Sequence, residues 1–229
     1  GEDHTLAFDF TYAAYDESED NIYDERYTLP GFANSMSHNL ILKGGPITEF
    51  AIEYAKVFGE DTELEAGYLG EYLRDDIRLL YEDLDADNNR WITDFSRTNR
   101  FKFQQDIHAL YALFDHAIDI FSFSAGLRAE QALITSRLID ANSNEVPNNY
   151  FRIYPSLTLG LELGDFEELQ LSYSRRVNRP DSDEMNPFPE YDDPRTRDAG
   201  NPLLLPENIH SVELAYLLER PGFSFIPSL

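Results

Sequence analysis

The hydrophobic pattern of this chain has a period of two almost from end to end. Leu6, Phe8, Phe10 and Tyr12 alternate with Thr5, Ala7, Asp9 and Thr11, and Phe50, Ile52 and Tyr54 alternate with Ala51, Glu53 and Ala55. Leu64, Ala66, Tyr68 and Tyr72 oppose Glu63, Glu65, Gly67 and Glu71, while Phe121, Phe123, Ala125 and Leu127 oppose Ser122, Ser124, Gly126 and Arg128. Leu157 to Leu163, Leu169 to Tyr173 and Val212 to Tyr216 continue the alternation. Successive side chains of a strand point to opposite faces, so each run has one apolar and one polar face. The runs predict an all-β chain of eight strands and the start of a ninth, at about 4–16, 49–58, 62–78, 101–115, 118–137, 150–163, 167–177, 209–219 and from 222 onward.

The connections between these runs alternate in length. Short ones fall at Gly59–Asp61, around His116, at Gly164–Phe166 and at Arg220–Gly222; long ones fall near 18–48, 75–100, 137–149 and 177–208. Bacterial outer-membrane barrels join their strands by short periplasmic turns and longer external loops. The pattern therefore predicts an antiparallel up-and-down meander, a segment of a transmembrane β-barrel with its long loops outside. Two stretches also fit a helix: Ile107, Leu110, Tyr111, Phe114 and Ile118 keep i, i+3, i+4, i+7 spacing, and Leu64–Tyr81 is rich in Glu and Leu. Gly67 and Gly70 favour strand in the second of them.

Composition narrows the class further. Hydrophobic residues make up 42% of the 229, yet no apolar run approaches the roughly 18–20 residues of a membrane helix. A barrel remains open, because alternating strands carry little net hydropathy and pair all their backbone groups once closed. The formal charge of −25, from 43 acidic against 18 basic side chains, argues against a nucleic-acid surface. Cysteine is absent, which removes disulfides and thiolate metal sites. Gly1 stands directly before an acidic residue with no signal peptide ahead of it, and reads as a cleavage scar on an excised segment.

Several motifs carry a resemblance. YSRRVNRP (Tyr173–Pro180), MNPFPEYDDP (Met185–Pro194), GNPLLLPE (Gly200–Glu207) and HSVELAY (His210–Tyr216) follow one another around the longest loop. With LEAGYLGE (Leu64–Glu71), FSFSAGLRAE (Phe121–Glu130) and NNYFRIYPSL (Asn148–Leu157), in that order, they resemble the barrel domain of TonB-dependent outer-membrane receptors, the outer membrane protein beta-barrel family. The resemblance implies that residues 1–229 form part of a barrel domain, with no plug domain in the chain. It further implies a cell outer-membrane location and import of a scarce nutrient such as a siderophore, oligosaccharide or peptide. The partners it implies are the TonB complex, the receptor's own plug and outer-membrane lipid.

Candidate sites are few. Arg175, Arg176 and Arg179 lead into the long loop, where guanidinium forks suit an anionic ligand or a plug carboxylate; lumen-facing arginines neutralised by Glu162 or Glu213 are the plainer alternative. Tyr191 in the same loop joins them as a candidate ligand contact. Asp83, Asp85 and Asp87 have the i, i+2, i+4 spacing of calcium loops, but Asn88 stands where such a loop needs Gly and Asp94 where it needs Glu, so a solvated loop tip competes with calcium and no other cofactor is expected. The acidic clusters Asp16–Asp20, Glu60–Glu65 and Glu190–Asp193 read first as hydrated loop surface. Tyr12, Tyr54, Tyr72, Phe103, Phe121, Tyr154 and Tyr173 are candidates for interfacial girdles.

The five histidines are scattered and no nucleophile elbow, HExxH or phosphate-cradling glycine loop occurs, so an enzyme is not expected. The competing class is a soluble β-rich binding or adhesion module whose apolar faces pack on each other as a sandwich. The two differ in where the apolar face goes, and an open barrel segment studied alone is expected either to self-associate through its strand edges or to curl so that its apolar face turns inward.

Overall fold

Side chains that alternate between apolar and polar form strands, and here the strands pair with their sequence neighbours. In a computed structural model, residues 4–28, 33–141, 143–191, 193 and 195–229 are described; Gly1, read above as a cleavage scar, and Asp192 of the third acidic cluster lie outside them. The strands are β1 (His4–Glu25), β2 (Ser35–Phe58), β3 (Thr62–Asp85), β4 (Arg90–Thr93), β5 (Asn99–Ile118), β6 (Phe121–Leu138), β7 (Val146–Pro147), β8 (Tyr150–Gly164), β9 (Glu167–Asn178), β10 (Glu190–Tyr191), β11 (Arg197–Asp198), β12 (Glu207–Arg220) and β13 (Phe223–Phe225). One sheet runs β1-β2-β3-β5-β6-β8-β9-β12-β13, all antiparallel, with β4 added to β3 and β7 to β6; β10 and β11 form a separate ribbon. This is the expected meander of eight long strands and a ninth begun. The barrel is not closed, and β1 and β13 are the free edges of the sheet.

The connections at one end of the sheet are tight, at 59–61, 119–120, 165–166 and 221–222. Gly59 and Gly222 take positive φ values of 71° and 81° there, and Asp119 does so at 55°; a Cβ is disfavoured in that region, so glycine suits such turns. The second turn lies at Asp119–Ile120, beyond the His116 position read from sequence. At the opposite end the expected loops 18–48 and 75–100 are mostly strand. β1 pairs β2 without a break from His4↔Lys56 to Glu25↔Ser35, and β3 runs on to Asp85. Charged residues such as Asp16–Asp20 broke the apolar pattern without breaking the ladder, since a strand projecting into water needs no apolar face. The 107–118 and 64–81 stretches are strand throughout.

Candidate functional site

Register sorts the residues onto two faces. On one lie Leu6, Phe8, Phe10 and Tyr12 of β1, Phe50, Ile52 and Tyr54 of β2, Leu64, Ala66, Tyr68 and Tyr72 of β3, and Leu110, Ala112 and Phe114 of β5. Phe123 to Leu127 of β6, Leu157 and Leu159 of β8, Leu171 and Tyr173 of β9 and Val212 and Leu214 of β12 complete this outer face. Phe10 is 70%, Leu110 64% and Val212 69% exposed. No second sheet covers this face among the described residues, so the apolar faces do not pack on each other as the sandwich alternative requires. From Leu64 to Tyr72 the band is nine residues tall; at about 3.3 Å per residue and a tilt near 45° it spans about 20–25 Å, the height of a barrel's lipid-facing band.

Above this band the apolar side changes face. Ile41, Ile77, Leu79, Phe101, Phe103, Ile107, Ala132 and Ile134 form a buried cluster on the inner face, while Arg74, Asp76, Arg78 and Lys102 turn outward. The cover on the inner cluster is the connection between β9 and β12. Met185 is fully buried in the cluster and Phe188 packs against it.

Polar contacts fix this loop to the wall. Arg179 reaches Glu130, which is 1% exposed and also held by Arg128, and donates to the Tyr150 hydroxyl at 2.9 Å. Lys43 Nζ meets Asp183 at 2.5 Å, and Asn39 donates to the Tyr191 carbonyl at 2.9 Å. The Tyr191 ring lies 5.5 Å from that of Tyr81, and the Arg97 guanidinium lies near both, 3.9 Å from the Tyr81 centroid and 5.8 Å from that of Tyr191. Within the loop Asp181 accepts from the Asp183 and Glu184 amides, and Gly200 and Asn201 donate to Asn186 and Glu184 at 2.7 Å. A Cβ at Gly200 would stand 2.1 Å from the Glu184 carbonyl oxygen, so only glycine permits this approach. An open hollow of about 400 Å³ beside it is lined by Asp183, Glu184, Asn186, Glu190 and Asp198.

The predicted site residues separate. Arg179 and Tyr191 are both anchors of the folded loop. Arg175 instead bridges strands, donating to Asn208 at 2.9 Å and to the Ile153 carbonyl at 3.3 Å, and Arg176 donates to Ser174. Glu162 and Glu213 pair with none of the three among the described residues.

Asp83, Asp85 and Asp87 do not converge. Asp83 pairs with Arg97 at 3.0 Å, and Asp85 accepts from the Asp87 and Asn88 amides to close the turn. Among the described residues no three His, Asp or Glu side chains are grouped to hold a metal. In the neighbouring turn the Ser96 hydroxyl, with help from Arg97, pulls the Asp94 carboxyl down to about 2.

Of the girdle candidates, Tyr12, Tyr54, Tyr72, Phe121 and Tyr173 are on the outer face, but Phe103 and Tyr154 are buried on the inner one. Glu130, Met185 and Arg97 escaped the sequence reading. The signal available for Glu130 was its phase, since it shares the polar parity of Ser122, Ser124 and Arg128.

Lower on the inner face the wall is polar and acidic. Glu49 lies directly across from Glu71, with Glu53 and Glu65 nearby, and the Tyr111 hydroxyl donates to Glu53 at 2.7 Å. A hollow of about 480 Å³ here is lined by Glu53, Glu65, Tyr111, Arg128, Tyr154 and Ser156. A polar inner wall, an apolar outer band and a loop folded over the inner mouth define an outer-membrane β-barrel protein.

The comparisons with known proteins agree. The chain belongs to the Outer membrane protein beta-barrel family, which it matches over residues 1–228. Its fold is similar to that of the ferric citrate transporter FecA in the unliganded form, with a TM-score of 0.63 at 12% identity over 95% of this chain and 30% of that one. The siderophore receptor PirA from Pseudomonas aeruginosa also matches, with a TM-score of 0.37 at 12% identity over 92% of this chain and 54% of that chain. No curated protein sequence matches. The chain thus spans about 30% of the length of FecA. Family and fold are those of outer-membrane β-barrels.

Proposed function

We propose that this chain forms part of the barrel wall of a TonB-dependent receptor that imports a scarce nutrient through a plugged lumen. One observation carries the reading: the apolar side of the sheet changes face above the lipid band, and a folded external loop occupies the inner wall there. A wall that only bounded an open water-filled pore would have no use for an apolar seat in its mouth. The acidic hollow beside Gly200 supports a ligand-facing role for this loop, which the Arg179–Glu130 anchor holds in place. The nutrient class, a metal chelate, an oligosaccharide or a peptide, is set by loop and plug contacts in the full-length protein, where the TonB complex supplies the energy.

The test uses the full-length protein in detergent and in planar bilayers. Ligand binding is followed by isothermal titration calorimetry, with candidate ligands of each class added in turn. The expected result is saturable binding of one ligand class, with negligible conductance until the plug is removed. Steady passive conductance with no ligand bound would replace the receptor with a porin.

A further inference from the structure

The external end of the sheet holds a histidine between two carboxylates. His38 of β2 is directly opposite Ile22 of β1 and Glu82 of β3, and Glu82 is directly opposite Thr93 of β4. All four share the outer face. Glu82 is ten residues beyond Tyr72 on β3; at about 3.3 Å per residue and a tilt near 45° the row stands about 20–25 Å above the lipid band. His38 Nε2 is 2.8 Å from Asp20 and Nδ1 is 3.1 Å from Glu82. The other Glu82 oxygen accepts from the Thr93 hydroxyl at 3.3 Å, and the Trp91 ring lies 5.7 Å from that of His38. One side chain thus joins four strands.

The arrangement fits one protonation state. Ionised carboxylates only accept hydrogen bonds, and a neutral imidazole has a single N–H, so one of its nitrogens would turn a lone pair toward a carboxylate oxygen. The imidazolium donates to both. Burial opposes the charge, but the hydrogen bonds to Glu82 and Asp20 outweigh it and raise the group above its ordinary 6.5. The flanking charges on this face are already paired or further off: Arg78 of β3 lies against Asp76, Asp24 of β1 meets Arg26 at 2.6 Å, and Asp16 is two rows below Asp20. Arg90 of β4 has the opposite parity and lies 4.0 Å from Asp85.

The same stretch of wall backs the folded loop. Asn39 and Tyr81, the sequence neighbours of His38 and Glu82, face inward and hold Tyr191, the first through its carbonyl and the second ring to ring. We propose that His38 is a pH-operated clasp: charged, it ties the external ends of β1 and β4 to the wall behind Tyr191, and neutral, it releases them. The inference goes beyond the receptor reading and needs only that this end of the sheet stands outside the membrane. A histidine raised in the folded state adds stability that is complete below its ordinary value of 6.5 and is lost as pH rises through the folded value. The external end is therefore tight in acid and loose in mild alkali.

The test is amide hydrogen exchange of the full-length protein in detergent, expressed at each pH as protection relative to the unstructured chain. From about pH 5.5 to about pH 8.5 the wild type should lose protection roughly tenfold or more at residues 18–24 and 90–94, as expected for losing a hydrogen bond to a charged group. Strands below Tyr72 should keep theirs. H38Q, which offers a donor and an acceptor without charge, should show the same protection at both pH values. If H38Q fails to fold, D20N replaces it, changed at a 64% exposed side chain and leaving Glu82 in place; it should lose less protection, and at lower pH, than the wild type.

A wild type whose protection does not fall with pH overturns the clasp. So does a fall of equal size in H38Q, or a D20N profile that superposes on that of the wild type. None of these results touches the receptor reading, which stands or falls on ligand binding and conductance.

Discussion

The lower and upper halves of this sheet bury opposite faces. On β3 the apolar positions are even below, at Leu64, Tyr68 and Tyr72, and odd above, at Ile77, Leu79 and Tyr81; β5 changes between Ile107 and Leu110. Below, the solvent for the apolar face is lipid, and the inner face carries Glu49, Glu53, Glu65 and Glu71. Above, water surrounds the outer face, and the chain itself supplies apolar surroundings on the inner face through Met185 and Phe188. One ladder thus serves two hydrophobic effects, one satisfied by the membrane and one by a loop.

The largest expected effect is at the anchor joining loop to wall. Glu130→Gln leaves Arg179 and Arg128 without their buried carboxylate, and removing one partner of a buried pair costs about 3–5 kcal/mol. Urea unfolding in vesicles measures it, and a loss below about 1 kcal/mol would reduce the anchor to an ordinary surface pair.

Met185→Ala should cost about 2–5 kcal/mol as a cavity in a packed cluster. If loop and band are separate units, the loss appears as faster hydrogen exchange at the Gly200 and Asn201 amides, with the strands below Tyr72 unchanged. Uniform acceleration would merge the two halves into one cooperative unit.

On the outer face, Leu110→Arg should cost about 2–4 kcal/mol and Gln104→Arg, three rows higher, about 0–1 kcal/mol. Equal costs would move the lipid boundary.

The smallest effect is a pH dependence of the external turn. Asp94 is held down to about 2 from the usual 3.8 by Ser96 and Arg97. A carboxyl lowered in the folded state adds stability above its unfolded value, and that contribution fades as pH falls. Between about pH 4 and about pH 2 the wild type should therefore lose more stability than Asp94→Asn does. Parallel melting curves over that range would show that the turn adds nothing to the upper half.

The change of face also explains what the sequence revealed and what it hid. Every long strand was legible because alternation survives inside each half. Ile107, Leu110, Tyr111 and Phe114 look helical because Ile107 and Tyr111 face inward while Leu110 and Phe114 face lipid. A change of parity within one strand produces i, i+3, i+4 spacing without any helix. The ladders through 18–48 and 75–100 were hidden for a related reason, since charged residues such as Asp16 and Asp76 fill positions that look like loop when water is the only solvent considered. The pairing of Arg179 with Glu130 depends on how a connection of nearly thirty residues folds back, a long-range fact that no local pattern encodes.

The seat of Met185 bears on how such proteins can be recombined. Residues 179–206 bring with them a demand for Ile41, Ile77, Phe101, Phe103 and Ile134, which come from four different strands, and for Glu130 and Lys43. A graft of this loop onto a foreign barrel would dangle unless those wall positions were transplanted too, whereas swapping loop and wall together should carry the folded unit intact. Any change to the loop therefore acts on a cassette scattered along the sequence, whose parts must change in concert.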